Sequence, residues 1–100
     1  MSKPKLYGMS GSRAQRSLWA MEEVGIDYEH IPIDFAEGAK APAYLAVNAN
    51  GRIPALNDGG VTIVESMAIN LYLAKNYGGA LYPQNPQDEA LTWQWSVWGI

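Results

Sequence analysis

The chain has 100 residues, 48% of them hydrophobic, with no cysteine and a formal net charge of −3. That supplies one compact domain with a modest core, or a domain joined to part of another, and it excludes a disordered chain. Without cysteine there is no disulfide framework, thiolate metal site or cysteine nucleophile, and the seven basic residues form no run that would point to nucleic acid.

Lys5-Leu6-Tyr7 reads as a short first strand, closed by Gly8 and the small polar loop Ser10-Gly11-Ser12. From Arg13 the pattern turns helical, with Ala14, Leu18, Met21 and Val24 at three- and four-residue spacing, Trp19 beside them and Gly25 as the stop. Tyr28 to Ile33 alternates like a second strand, and Pro32 predicts an edge position because it offers no N–H. Phe35 to Pro42 reads as a loop, and Ala43 to Val47 as a short helix stopped by Asn48 to Gly51. Pro54 to Asn57 and Val61 to Val64 are two strands joined at Asp58-Gly59-Gly60, a strong hairpin signal. Ser66 stands where an N-cap would, and Met67, Asn70, Leu71 and Ala74, with Ile69, Leu73 and Tyr77 beside them, continue a helix to Gly78-Gly79.

The order βαβ, short helix, ββα predicts a parallel pair followed by an antiparallel hairpin. The expected fold is therefore α/β and thioredoxin-like, a four-stranded mixed sheet with packed helices. Residues 1–79 would form this unit. Residues 80–87, with two prolines and no periodicity, have linker composition. Residues 88–100 would start a helical domain, with Asp88 and Glu89 favouring a helix N-terminus through the macrodipole. Leu91, Trp95 and Trp98 fall on one face of that helix, and Trp93, Val97 and Ile100 on another. A helix apolar on two faces needs partners on both, so the chain is expected to be the front of a longer protein or to rely on another chain for cover.

The stretch NANGRIPALNDGGVTIVESMAINLYL combines Gly, a basic residue, an aliphatic-Pro pair, a hairpin, then Glu-Ser-x-Ala-Ile and Tyr-Leu. In this the chain resembles the glutathione S-transferases over nearly its whole length. Residues 3 to 79 are similar to their glutathione-binding domain, and LTWQWSVW to the first helix of their all-helical domain.

The resemblance implies a site for a small peptide. A cis Ile53-Pro54 bond would turn the Ile53 backbone outward to pair with the cysteinyl part of glutathione as an added strand does. Ser66 and its N–H, at the positive end of a helix, would take the γ-glutamyl carboxylate, and Glu65 its ammonium. Arg52 and Lys40 are the candidates for the glycine carboxylate. The thiol must react as thiolate, so a donor is needed beside it. LYGMSGSRAQRSLW aligns with the serine-using, theta-like pattern and selects Ser12. Ser10 and Tyr7 stand as alternatives, and Ser12 could instead cap the first helix. Arg16 matches a common family arginine at a structural or interface position, and Arg13 could set the potential near the thiolate. Neither is assigned a catalytic role. His30 has no partner ligands, so no metal is expected.

The function implied is a glutathione transferase that uses glutathione as co-substrate against small electrophiles, as in detoxification. Homodimerisation follows from the same resemblance. No apolar run reaches the ~20 residues of a membrane span, MSKPKLYGMS does not read as a signal peptide, and a cytoplasmic setting is expected. The alternatives are a non-catalytic module of the same fold and a glutathione-dependent isomerase or dehalogenase. The absence of a Ser-Ser-Cys run counts against the isomerase.

Overall fold

The structure is a computed structural model that describes residues 3–9, 11–34 and 38–98. Strands β1 (Lys5–Tyr7), β2 (Glu29–Ile31), β3 (Ala55–Asp58) and β4 (Val61–Val64) form one sheet in the order β2-β1-β3-β4. β1 pairs with β2 in parallel and with β3 antiparallel, and β3 pairs antiparallel with β4. Helix α1 (Ala14–Val24) makes the crossover between the parallel strands. Helix α2 (Pro42–Leu45) is a single turn, α3 (Ser66–Tyr77) follows the hairpin, and α4 (Pro86–Trp98) comes last. The sheet is thus the four-stranded mixed, thioredoxin-like one expected, with a helical segment after it.

Strand alternation splits the core in two. Leu6 and Leu56 point to one face, where they meet Leu18 and Met21 of α1 and Ile69 and Leu73 of α3. The neighbouring Tyr7 and Ala55 point to the other, where Tyr44 of α2 and Ala39 cover them. On α3 the buried stripe is Ile69 and Leu73, whereas Met67, Asn70, Leu71 and Ala74 are only half-buried.

Several boundaries differ from expectation, each through proline or a cap. β2 is only Glu29–Ile31, on the sheet edge, because Pro32 gives the ladder no donor. α2 starts at Pro42, which as first helical residue loses no bond it would have made. α4 starts at Pro86 rather than Asp88, capped by Asn85, whose Oδ1 accepts the Asp88 N–H at 2.9 Å. Ser66 is not the cap of α3. It is the first helical residue, its side chain makes no capping bond, and Glu65 occupies the cap with φ 77°.

The stretch of linker composition is pinned. Residues Gly79–Leu81 make a turn of 3₁₀ helix, and Tyr82 is buried. The Tyr82 hydroxyl donates to Glu89 at 2.6 Å and accepts from the Trp93 indole at 3.0 Å. Lys75 of α3 lies 3.6 Å from the same Glu89 carboxylate. This knot ties α4 to the body, although α4 itself buries no residue and leaves Leu91, Trp93, Trp95, Val97 and Trp98 exposed.

Candidate functional site

A cleft of 580 Å³ opens where the loop before α1, the turn after α2, the start of β3 and the start of α3 converge. Ser12, Lys40, Arg52, Ile53, Pro54, Glu65 and Ser66 all line it. Residues from four separate stretches of sequence are therefore brought to one place. Tyr7 is not among the lining residues; it packs under α2, with its ring 5.8 Å from that of Tyr44. Ser10 lies outside the described residues.

At the centre the Ile53–Pro54 peptide bond is cis. The N–H and C=O of Ile53 meet no partner among the described residues, although Ile53 adjoins the start of β3. Its predecessor is held from behind. The Arg52 carbonyl accepts both the Tyr44 hydroxyl and Asn48 Nδ2, the latter at 3.0 Å. Burial of Tyr44 raises its phenol pKa, so the group stays a donor. Gly51, with φ 64°, lets Lys40 come close: a Cβ there would stand 3.0 Å from the Lys40 ammonium and 3.0 Å from the Ala39 carbonyl.

The far wall is the N-terminus of α3. The first bond of that helix runs from the Ile69 N–H to the Glu65 carbonyl at 2.9 Å, which leaves the Ser66 and Met67 amides without partners among the described residues. Ser66 is only 8% exposed. Behind it, the fully buried Ser17 of α1 reaches the Ser66 carbonyl at 3.4 Å, so α1 backs the helix end. Glu65 is exposed and its φ of 77° is one a side chain rarely adopts. Its carboxylate has no ion-pair partner among the described residues.

On the near wall Ser12 precedes α1. Its hydroxyl donates to the Met9 carbonyl at 2.6 Å and accepts the Ala14 N–H at 3.1 Å. Arg13 occupies the N-cap of α1 without a side-chain cap bond. The expected capping role of Ser12 therefore takes the form of a short turn onto Ala14, beside any role toward a ligand.

Charge is unevenly placed. Arg13, Arg16, Lys40 and Arg52 are four of the seven basic residues, and all line the cleft of a chain whose net charge is −3. Glu65 is the one acid beside them among the described residues. Among the described residues none of these four cations is in an ion pair; the pairs that form are Lys3–Asp27 and Lys75–Glu89. The cleft suits a ligand with more than one anionic group and one cationic group.

Arg13 was expected only to set the potential near the thiolate and Arg16 to hold a structural or interface position, whereas Asn48 was not assigned to the site from sequence. Asn48 reads there as a helix stop, but its Oδ1 also accepts the Asn50 N–H at 3.1 Å, and this turn carries Arg52. The two arginines stand at a helix start, where the dipole disfavours cations. No group of three His, Cys, Asp or Glu able to hold a metal occurs among the described residues.

The profile described as the glutathione S-transferase N-terminal domain matches residues 2–75. Glutathione S-transferase 3 of Zea mays is 46% identical over 79 residues, which are 77% of this chain and 36% of that protein. A theta class glutathione S-transferase from Xanthomonas axonopodis pv. citri, solved with glutathione bound, superimposes with TM-score 0.89 at 41% identity. That match covers 98% of this chain and 48% of that one. Glutathione transferase F2 of Populus trichocarpa gives TM-score 0.81 at 32% identity, over 92% of this chain and 46% of its own. The chain thus spans under half the length of these relatives. The sheet order, the cleft and these likenesses agree: the chain belongs to the glutathione S-transferase family.

Proposed function

We propose that the cleft binds reduced glutathione and that the whole protein is a glutathione transferase. The observation that carries this reading is the convergence of three features in one cleft: the unpaired Ile53 backbone, the open N-terminus of α3 and the pair Lys40 and Arg52. Each matches one part of the peptide. The Ile53 N–H and C=O take the cysteinyl backbone as a neighbouring strand would. The Ser66 hydroxyl and the amides of Ser66 and Met67 take the γ-glutamyl carboxylate, aided by the helix dipole. Glu65 meets the ammonium, and Arg52 with Lys40 the glycine carboxylate. Ser12 holds the sulfur as thiolate, which requires its proton to turn from Met9 to the ligand.

A small electrophile is the second substrate, attacked by that thiolate. Pairing of two copies and a cytoplasmic setting belong to the same reading by family likeness. No helix among the described residues is long and apolar enough to cross a membrane. Glutathione bound to the Xanthomonas and Drosophila mojavensis relatives supports the choice of ligand.

The test is equilibrium binding of reduced glutathione against the same peptide amidated at its glycine carboxylate. Tighter binding of the free acid by about tenfold, with the gap lost in Arg52→Ala, supports the orientation. Equal binding of the two peptides contradicts it.

A further inference from the structure

Glutathione does not use all the charge this cleft offers. Among the described residues four cations and one acid line it, a net of three positive charges. Glutathione with an ionised thiol carries two carboxylates, one thiolate and one ammonium, so two negative charges net. One positive charge is left over. Lys40 and Arg52 lie on the side assigned to the glycine carboxylate, whereas Arg13 directly follows Ser12, where the sulfur would sit, and Arg16 lines the same cleft from the first turn of α1.

The local electrostatics sharpen the point. The first turn of α1 contains no acidic residue, and neither arginine is in an ion pair among the described residues. A helix N-terminus carries about half a positive charge of its own. Two guanidinium groups three residues apart add like charge to like charge there. No ion pair among the described residues compensates them, and a guanidinium fork matches a carboxylate in bidentate geometry.

We propose that the electrophile used with glutathione carries a carboxylate, held by Arg13 and Arg16 beside the reacting sulfur. The proposal rests on the glutathione reading of the same cleft. For a benzylic chloride bearing such a group, the thiolate attacks the benzylic carbon. A C–S bond forms, the C–Cl bond breaks, and chloride leaves with the bonding pair. The thiol proton has passed to water beforehand. The arginines bind and orient the carboxylate and take no part in proton transfer.

The conjugates themselves are the probes, so the test does not need turnover. S-(para-carboxybenzyl)glutathione and S-(para-nitrobenzyl)glutathione, similar in size but differing by one negative charge, are titrated calorimetrically into the chain. The carboxylated conjugate is expected to bind about tenfold more tightly, with a gap that narrows as salt is raised. In Arg13→Gln/Arg16→Gln the gap should fall to within about twofold. Should the double variant fail to fold, the exposed Arg13→Gln alone must shrink the gap by at least about threefold. Equal affinity of the two conjugates for the parent chain, or a gap that survives these substitutions, overturns the proposal alone. Failure of glutathione and both conjugates to bind overturns the glutathione reading and this proposal with it.

Discussion

The Ser12 hydroxyl gives its one proton to the Met9 carbonyl at 2.6 Å while accepting the Ala14 N–H at 3.1 Å. A hydroxyl that is to hold a thiolate must surrender the first of these bonds and keep the second. A bond to a charged partner contributes about 1.5–3 kcal/mol and a neutral one about 0.5–1.5 kcal/mol, so the net gain is roughly 1 kcal/mol. That corresponds to about one unit of thiol pKa, downward, because only the ionised form takes the bond. Ser12→Ala should therefore raise the apparent pKa of bound glutathione by about one unit, read from thiolate absorbance against pH. Tyr7→Phe should leave it in place, since Tyr7 does not line the cleft. The reverse pattern would move the thiol-activating role to Tyr7.

Glu65 joins strain and charge at one residue. Its φ of 77° costs a side chain of order 1–3 kcal/mol, which glycine avoids. Glu65→Gly should raise stability by about 1 kcal/mol, after the added freedom of glycine in the unfolded chain is set against the relieved strain. It should at the same time weaken glutathione binding, because the proposed partner of the ammonium is lost. Urea denaturation and calorimetry on the same protein read both effects; a loss of stability would mean that the backbone is not strained there.

The hairpin is tied to α3 by one carboxylate. Tyr72 and Tyr77 both donate to Asp58 Oδ2, the former at 2.7 Å. The hydrogen bond to Asp58 is the main cause that pushes the Tyr72 phenol up to about 12, and it raises Tyr77 as well. A phenol whose folded pKa is raised favours the folded state fully below its unfolded pKa, near 10, and this contribution is lost as pH climbs toward 12. Stability should accordingly fall between about pH 10 and 12. In Asp58→Asn the tyrosinate absorbance of both residues should appear at lower pH. An unchanged titration would show that the shared carboxylate is not the cause.

How much of this could be read beforehand differs from residue to residue. The sheet was legible because its signals are local and strong: Asp58-Gly59-Gly60 marks the hairpin, Gly25 adopts φ 69° as a helix stop, and Pro32 confines β2 to the edge. The lining residues were legible as a combined pattern, with Ser12, Lys40, Arg52, Ile53, Pro54, Glu65 and Ser66 all reaching the cleft. What sequence did not disclose depends on contacts between distant residues. Ser66 has the chemistry of a cap, yet the left-handed turn at Glu65 shifts the helix by one residue and frees its hydroxyl. Asn48 and Tyr44 converge on one carbonyl from a turn with no periodicity to betray it. Tyr82, at the start of a stretch of linker composition with two prolines, is buried because Glu89 and Trp93 fold back onto it.

That last contact is itself testable. Tyr82→Phe removes the donor to Glu89 and the acceptor for Trp93 together, with no change in ring size. Because α4 buries no side chain of its own, the knot is its main anchor among the described residues. Tryptophan emission should shift to the red and amide exchange in residues 86–98 should quicken, while exchange in the sheet is unchanged. Unaltered protection of α4 would show that it is held in some other way.

The central claim is that the start of α3 holds a carboxylate of glutathione. Ser66 makes no capping bond, so Ser66→Ala should cost the fold little, under about 0.5 kcal/mol, in contrast to the ~1 kcal/mol of a true cap. The most direct measurement is a calorimetric titration of reduced glutathione into the parent chain and into Ser66→Ala, with thermal unfolding of both as control. Saturable binding that weakens about tenfold in the variant, at nearly unchanged stability, is the predicted result. Equal affinity in the two chains, or no binding by a folded parent chain, would contradict it.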